Sequence, residues 1–293
     1  MIDLRQLYHS NTWCRTALQP AVSLRRRYLH WKLDSANRVC SRLAAIACED
    51  LVVDVPEFDG RFRLGASSHL LHRLLVHGFY EPELAAWARA HLDRHRDVID
   101  VGANVGFFTV LLGRQLASRR VLAIEPSASA LSRLHWNIAA NDLVDRVVVF
   151  GGLAARESGV AELKVFEGME EYSCAGVAAH TAIRGYVPKL EQIRKSTVDA
   201  LVAEHGLAPG FIKIDVEGFE MEVLSGAEVT LEKHRPLILS ELSDSLLRKN
   251  GSSAQEVVGL LRKHRYRVAD PLYEHMSPGQ RDYADLVAIP MPS

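Results

Sequence analysis

The sequence lacks the features that mark several large classes of protein. No apolar run approaches the ~20 residues needed to span a bilayer, and the first residues lack the continuous apolar stretch of a secretory signal. The cysteines include no C-x-x-C pair, which argues against a structural zinc site or a disulfide framework; they are Cys14, Cys40, Cys48 and Cys174. These absences predict a reduced, cytoplasmic protein.

A strong net charge is also missing. The formal net charge of -1 over 293 residues gives no global basic field, so general nucleic-acid binding is not expected. With 48% hydrophobic side chains, the chain can bury one full core and have residues left over. We therefore predict a catalytic domain over residues 78–293, preceded by a helical and hairpin extension over residues 1–77.

The first 50 residues differ from the rest, because they carry eight Lys or Arg against four acids. Leu24, Tyr28 and Trp31 fall at helical spacing among basic residues, which predicts a basic amphipathic helix. Such a helix either packs on the domain or on a second copy, giving a homodimer, or makes peripheral contact with an anionic membrane or lipid-linked substrate. Asp59-Gly60 then predicts the turn of a β-hairpin over residues 51–64.

The rest of the chain is organised around residues 97–112. A short apolar run reaches Asp100, a loop bounded by Gly102 and Gly106 follows, and helical periodicity then begins, which predicts strand, tight loop and helix. The loop has neither the G-x-G-x-x-G spacing of dinucleotide sites nor the G-K-[ST] ending of a P-loop, so NAD and ATP are disfavoured. An adenosine-type ligand with less phosphate remains, and S-adenosylmethionine fits that description.

Further acids follow other predicted strands. Glu125 ends an apolar run 19 positions after Gly106, where an acid commonly accepts hydrogen bonds from ribose hydroxyls. Asp142 and the Gly151-Gly152 turn flank a third strand over residues 146–150, at the predicted adenine position.

A second motif, residues 210–220, predicts a strand ending in Asp215, then a turn with Glu217 and a helix. Ligands of open α/β sheets gather at the carboxyl ends of strands, so Asp100, Glu125, Asp215 and Glu217 should converge on one crevice. Ionised groups are costly to bury unpaired, although any single acid could be a helix cap. The alternation of strands and helices predicts a mostly parallel sheet covered on both faces.

Two segments beside these motifs have less regular patterns. Residues 159–166 alternate like an edge or hairpin strand, and residues 168–195 are predicted to be a long substrate-facing lid that contains His180. A lone histidine in such a loop is more often a surface residue than a base. Ahead of a helix that starts near Pro82, Phe79 is predicted to be a core residue, whereas Tyr80 fits either the core or the cofactor mouth.

Together these motifs resemble the FkbM family of S-adenosylmethionine-dependent methyltransferases, over about residues 78–290. The resemblance rests on Asp100-Val101-Gly102-Ala103-Asn104-Val105-Gly106, Glu125-Pro126, Leu134-His135-Trp136-Asn137, Lys213-Ile214-Asp215-Val216-Glu217-Gly218-Phe219-Glu220 and Val223-Leu224-Ser225-Gly226-Ala227. It implies a Rossmann-like class I methyltransferase fold, α/β, with a seven-strand, mostly parallel sheet and an antiparallel last strand. It also implies O-methylation of hydroxyls on macrolides, sugars, glycans or other secondary metabolites.

The resemblance also implies residue roles. The methionine part of the cofactor would contact Asp100, Gly102, Ala103, Asn104 and Gly106, the ribose Glu125 beside Pro126, and the adenine side Asp142. Asp215 and Glu217 would face the methyl group and the acceptor. Methyl transfer requires alignment and loss of a proton, and the candidate bases are, in order, Asp215, Glu217 and His180. No metal motif is present, so no metal is predicted, and a divalent ion held by Asp215, Glu217 and Glu241 stays an alternative.

Two other functions stay open. One is a methyltransferase that acts on a lipid, protein or RNA, which the basic N-terminal segment would favour. The other is a non-catalytic protein that binds an adenosine ligand.

Overall fold

The computed structural model describes residues 35, 39, 50–66, 68–165, 174–175, 187–271 and 284–292. The predicted basic helix, His180 and most of the predicted lid lie outside these residues. The strands are β1 Asp50–Val55, β2 Gly60–Gly65, β3 Asp97–Val101, β4 Val121–Glu125, β5 Val147–Gly151, β6 Leu153–Ala154, β7 Gly159–Val165, β8 Cys174–Ala175, β9 Lys189–Ser196, β10 Pro209–Ile214, β11 Leu237–Leu242, β12 Tyr266–Ala269 and β13 Ala284–Pro290. The helices are α1 His69–His77, α2 Pro82–His91, α3 Phe107–Gln115, α4 Ala128–Ala140, α5 Val198–Glu204, α6 Glu220–Ser225, α7 Glu228–Lys233, α8 Asp244–Lys249 and α9 Ala254–Lys263.

Seven strands form the main sheet in the order β12-β13-β11-β10-β3-β4-β5. β13 runs antiparallel to both of its neighbours, and the other pairs are parallel. The predicted seven-strand sheet with an antiparallel last strand is therefore confirmed. The strand order reverses at β3, with β4 on one side and β10 on the other, so the carboxyl ends of these three strands border the crevice that such a reversal creates.

The central strands are apolar because both faces of the sheet are covered. Val98 and Phe211 belong to the core on one face, whereas Ile99 and Ile212 belong to the core on the other. All four are at most 1% exposed. This alternation is what a strand buried on both sides requires.

The predicted hairpin is confirmed as β1 paired antiparallel with β2. Its side chains Phe58 and Phe62 lie in the same core as the first face of the main sheet. Two asparagines of α4 also bond β2: Asn137 Oδ1 accepts from Arg63 N at 2.6 Å and Asn141 Oδ1 accepts from Arg61 N at 3.0 Å. These bonds satisfy backbone groups of an edge strand. The predicted boundary at residue 78 thus does not coincide with a break in packing.

A second sheet contains four strands in the order β6-β9-β7-β8. β7 confirms the strand predicted over residues 159–166. The prediction of a lid is wrong for its last residues. Residues 189–196 form β9, which pairs antiparallel with the whole of β7. The apolar pattern of a strand is missing here because β9 contains charged residues such as Lys189 and Glu191. These residues fit β9 because the strand is formed by pairing with β7 and leaves much of its surface exposed.

Candidate active site

The loop between β3 and α3 is fixed by its own backbone. Gly102 N and Ala103 N both donate to the Ile124 carbonyl at 3.0 Å, and Gly106 N donates to the Ala103 carbonyl at 2.8 Å. Gly102 and Gly106 have φ angles of 75° and 94°, which favour glycine. The loop therefore holds one shape against the end of β4.

Gly102 also joins the two predicted motifs. A Cβ at this position would lie 1.8 Å from the Asp215 carbonyl oxygen. In return, the Asp215 amide donates to the Val101 carbonyl at 3.0 Å. The chain after β10 thus packs directly on the glycine loop, at a distance that only glycine allows.

Glu125 is held by two backbone amides. Its Oε2 accepts from Asn104 N and its Oε1 accepts from Ser127 N, both at 2.8 Å. Burial raises the pKa of Glu125 to about 7, even though these hydrogen bonds lower it. Each carboxylate oxygen keeps a second lone pair, so the group can also accept from a ligand's hydroxyls. We call Glu125 and the loop from Gly102 to Gly106 the cofactor end.

Most of the predicted site residues line one cleft at the carboxyl edge of the sheet: Gly102, Ala103, Asn104, Glu125, Pro126, Asp215 and Glu217. Asp100 lies beneath it, fully buried, and accepts a 2.5 Å hydrogen bond from Thr109 Oγ1. Gly106 begins α3, where an added Cβ would lie 2.6 Å from Leu134 Cδ1. These two residues support the cleft from below.

Asp142 is not brought to the cleft. It lies between α4 and β5, where β5 begins, and parallel strands begin at the edge opposite to the one where they end. Gly152 and Leu153, which follow β5, line the cleft instead. The structure therefore separates Asp142 from the residues predicted to share the adenine site with it.

Lys213 organises the acids on the other side of the cleft. Its Nζ lies 3.2 Å from Asp215 Oδ2, 3.4 Å from the Gly102 carbonyl and 3.9 Å from Asp100 Oδ1. Burial opposes ionisation of Asp215, but attraction to Lys213 and hydrogen bonds with Glu241 and Lys213 together outweigh it and hold the Asp215 pKa below its usual range. Asp215 is therefore the ionised acid of this group.

The pKa values of the neighbouring acids are shifted in the opposite direction. Burial, then the charges of Asp215 and Glu220, raise the pKa of Glu217 to about 8. Burial and Asp215 also raise the pKa of Glu241 well above its usual range. Glu217 Oε2 is buried and has no hydrogen-bond partner among the described residues. We call Lys213, Asp215, Glu217 and Glu241 the transfer end.

A smaller cavity adjoins the transfer end and is lined by Glu81, Leu84, Glu241 and Asp285, among others. The cleft and this cavity share six residues: Arg73, Tyr80, Phe108, Lys213, Asp215 and Glu217. A group passing between the two spaces would meet these six side chains.

Sequence reasoning missed Arg73 and Lys213 as site residues, and it placed Tyr80 either in the core or at the cofactor mouth. Arg73 and Tyr80 come from α1 and the turn after it, and the Arg73 guanidinium carbon lies 4.6 Å from the Tyr80 ring centroid. Phe79 was expected in the core and is 51% exposed, so that expectation is wrong, since the turn directs Tyr80 inward instead. A signal did exist for Lys213, because residues i and i+2 of an extended segment share a face.

Neither a metal-ligand cluster nor a membrane-spanning helix is found among the described residues. No group of three or more His, Cys, Asp or Glu in the described ranges has an arrangement that could hold a metal ion. Within the same ranges, no helix is both long enough and apolar enough to cross a membrane.

The fold and cleft define a class I methyltransferase: a seven-strand sheet with one antiparallel strand, a glycine loop after β3 and an acid at the tip of β4. The family model for the methyltransferase FkbM domain matches residues 100–268, more than half of the chain. The chain therefore belongs to the FkbM methyltransferase family, and the resemblance seen in the motifs is confirmed.

Named relatives lie at modest identity. AMB antimetabolite synthetase AmbE of Pseudomonas aeruginosa is 29% identical over 205 residues, which are 59% of this chain and 10% of AmbE. The 31-O-demethyl-FK506 methyltransferase FkbM of Streptomyces tacrolimicus is 28% identical over 203 residues, 60% of this chain and 75% of that protein. The solved methyltransferase FkbM from Methylobacillus flagellatus is 19% identical with a TM-score of 0.43, covering 67% of this chain and 44% of its own. The match thus spans a tenth of AmbE and less than half of the solved chain.

Proposed function

We propose that this protein is an S-adenosylmethionine-dependent O-methyltransferase that acts on a hydroxyl of a secondary metabolite, sugar or glycan. Membership of the FkbM family supports the reaction class. The observation that carries the proposal is that one cleft contains both Glu125, which backbone amides hold in place, and the ionised Asp215. One end suits a nucleoside, and the other suits removal of a proton.

The residues of the cleft fit the chemistry of this cofactor. Glu125 can accept from two ribose hydroxyls, and the apolar side chains of Ile124, Pro126 and Leu153 line the cleft near it. Asp215 and Glu217 provide carboxyl groups for the positively charged parts of the molecule. When bound, the cofactor would supply a methyl group on a positively charged sulfur.

The transfer end has the groups that an acceptor hydroxyl needs. The hydroxyl oxygen would form a bond to the methyl carbon as the methyl–sulfur bond breaks and S-adenosylhomocysteine leaves; we assign the proton of the hydroxyl to the Asp215 carboxylate. Lys213 keeps Asp215 ionised and fixed in position. Glu217, with its pKa at about 8, is mostly protonated at neutral pH and can donate a hydrogen bond that orients the acceptor.

The relatives favour a hydroxyl as the acceptor. One of them is named for 31-O-demethyl-FK506, a compound whose missing methyl group belongs on an oxygen. Transfer of this preference to the present chain is part of the proposal, since the two proteins share 28% identity.

Calorimetric titration tests the cofactor assignment. S-adenosylmethionine and S-adenosylhomocysteine should bind the wild type in the micromolar range, NAD should not bind, and Glu125→Ala should weaken both ligands at least about tenfold. Glu204→Ala is the matched control, because Glu204 is an exposed acid on α5 with 67% of its side chain accessible. The proposal is wrong if neither sulfur nucleotide binds the wild type.

Acceptor screening tests the reaction. Purified protein is incubated with methyl-labelled S-adenosylmethionine and a panel of macrolides, sugars and glycans, and labelled product and S-adenosylhomocysteine are both quantified. Equal amounts of the two products, lost in Asp215→Asn, are expected. Label that appears on nitrogen or on carbon would contradict O-methylation while leaving the cofactor assignment intact.

A further inference from the structure

We propose that Arg73 binds the carboxylate of the methionine part of S-adenosylmethionine. The inference rests on the proposed function, because it presumes that this cofactor occupies the cleft. It assigns a cofactor role to a residue of α1, which precedes the segment matched by the family model.

The backbone of the glycine loop is largely engaged elsewhere. The amides of Gly102 and Ala103 donate to Ile124, that of Asn104 donates to Glu125, and that of Gly106 donates back into the loop. A carboxylate is commonly bound by free amides at such a loop and helix start. Here four of the five loop amides already have partners, so a side-chain cation is the stronger candidate.

The acids of the cleft also favour a cation as the partner of the cofactor's carboxylate. The ionised Asp215 lines it, as does Glu125, and like charges repel strongly where water is partly excluded. The ammonium and sulfonium groups of the cofactor suit these acids, whereas its carboxylate does not. The carboxylate is therefore expected at the part of the cleft wall that carries a cation.

Lys213 and Arg73 are both cations of the cleft wall. Lys213 is 10% exposed and has Asp215, the Gly102 carbonyl and Asp100 around its ammonium group. An ammonium has three donors; Asp215 and the Gly102 carbonyl take two of them, and Asp100 Oδ1 at 3.9 Å places a second carboxylate beside the charge.

Arg73 is placed differently. Its side chain is 40% exposed and its Nη1 lies 3.8 Å from Glu81 Oε1, which is longer than a direct hydrogen bond. The guanidinium stacks over the Tyr80 ring, which restricts its position without using its N–H donors. A guanidinium presents a planar fork of donors that matches a carboxylate.

The test compares S-adenosylmethionine with its decarboxylated form, which lacks only the group in question. Calorimetry on the wild type should show S-adenosylmethionine binding about 10–100-fold more tightly than the decarboxylated form, the range expected for a charge-assisted hydrogen bond. In Arg73→Gln this preference should fall to about threefold or less. The decarboxylated form is a cation, and the variant lacks one positive charge near it. This ligand should therefore bind Arg73→Gln at least as tightly as it binds the wild type.

Three variants sharpen the comparison. Arg73→Lys keeps the charge but loses the fork, so an intermediate preference is expected. Arg248→Gln is the matched control: Arg248 lies on α8, pairs with Asp244 at 2.6 Å and does not line the cleft. Thermal melting of each variant checks that it folds. If Arg73→Gln alone fails to fold, the wild type and Arg73→Lys still give the answer.

The outcomes separate this inference from the proposed function. If the wild type does not bind S-adenosylmethionine, both are wrong. If it binds but does not prefer the carboxylated form, or if Arg73→Gln keeps the wild-type preference, Arg73 does not bind the carboxylate and the proposed function still stands. Loss of the preference in Arg73→Gln, and not in Arg248→Gln, supports the inference.

Discussion

The two ends of the cleft use the same functional group in different ways. At the cofactor end, each oxygen of Glu125 accepts a hydrogen bond from a backbone amide. At the transfer end, Glu217 and Glu241 crowd around Asp215, which pairs with Lys213, and Glu217 Oε2 has no partner among the described residues.

This difference affects both position and protonation. Backbone donors cannot rotate away, so they fix Glu125 where a ligand can use it. Lys213 compensates the charge of Asp215, whereas burial and then the charge of Asp215 raise the pKa values of Glu217 and Glu241. We infer that the first arrangement suits binding and the second suits proton transfer.

The largest effect that would sharpen this comparison is expected for Asp215→Asn. Removal of the ionised acid should lower kcat about 10²–10⁴-fold, the contribution typical of a general base. The Kd for S-adenosylmethionine should rise by a smaller factor, because the variant loses one carboxylate near the positive charges of the cofactor but keeps Glu125. Single-turnover rates and calorimetry measure the two quantities. A kcat close to that of the wild type would remove Asp215 from the proposed chemistry.

Gly102→Ala should damage both ends together. The added Cβ would meet the Asp215 carbonyl at 1.8 Å, and φ is 75°, so a loss of about 2–4 kcal/mol in the free energy of unfolding is expected. Gly251→Ala is the matched control, because φ is 81° there and nothing lies within 4 Å of the added Cβ. Chemical denaturation of both variants separates backbone strain from the clash. Equal losses would mean that the loop can move away from β10.

Glu125 should make cofactor binding depend on pH. Its pKa is raised to about 7 by burial, and only the ionised form can accept from both ribose hydroxyls. The affinity of the wild type should therefore fall by up to about tenfold as pH decreases from 8 to 6. Glu125→Gln should bind weakly at both values, with little slope. A sloping profile in the variant would assign the titration to another group.

Sequence reasoning worked where the chemistry follows the chain locally. Asp100, Glu125 and Asp215 each end an apolar run, and the tips of parallel strands meet at one edge of the sheet, so their convergence could be predicted. It failed for Asp142, because this residue precedes its strand and therefore lies at the edge where the parallel strands begin, opposite to the cleft.

The motifs could not reveal the residues that tertiary packing brings to the site. Arg73 and Tyr80 reach the cleft, and Glu81 reaches the adjoining cavity, because α1 and the following turn pack against α3, as the 5.3 Å contact between the Tyr80 and Phe107 rings shows. No periodicity in the sequence indicates that contact. β9 was missed for a related reason, since its pairing with β7 depends on a distant segment.

The smallest effect expected is a pH dependence of stability from Glu220, which lies behind the transfer end. Glu220 is 1% exposed, its Oε2 has no partner among the described residues, and burial raises its pKa to about 7 from 4.5. The folded state therefore binds more protons than the unfolded state between these values, so this contribution to stability is complete below pH 4.5 and is lost as pH rises through 7.

Glu220→Gln cannot ionise, so its stability relative to the wild type should increase by about 1–3 kcal/mol between pH 5 and pH 8.5. Melting temperatures measured across this range should converge or cross as pH rises. Glu222→Gln is the control, because Glu222 lies on the same helix with 40% of its side chain exposed, and its difference from the wild type should stay flat. If the Glu220→Gln difference is equally flat, the charge on Glu220 is neutralised by a group other than a proton, and the crowding of acids at the transfer end is weaker than the geometry indicates.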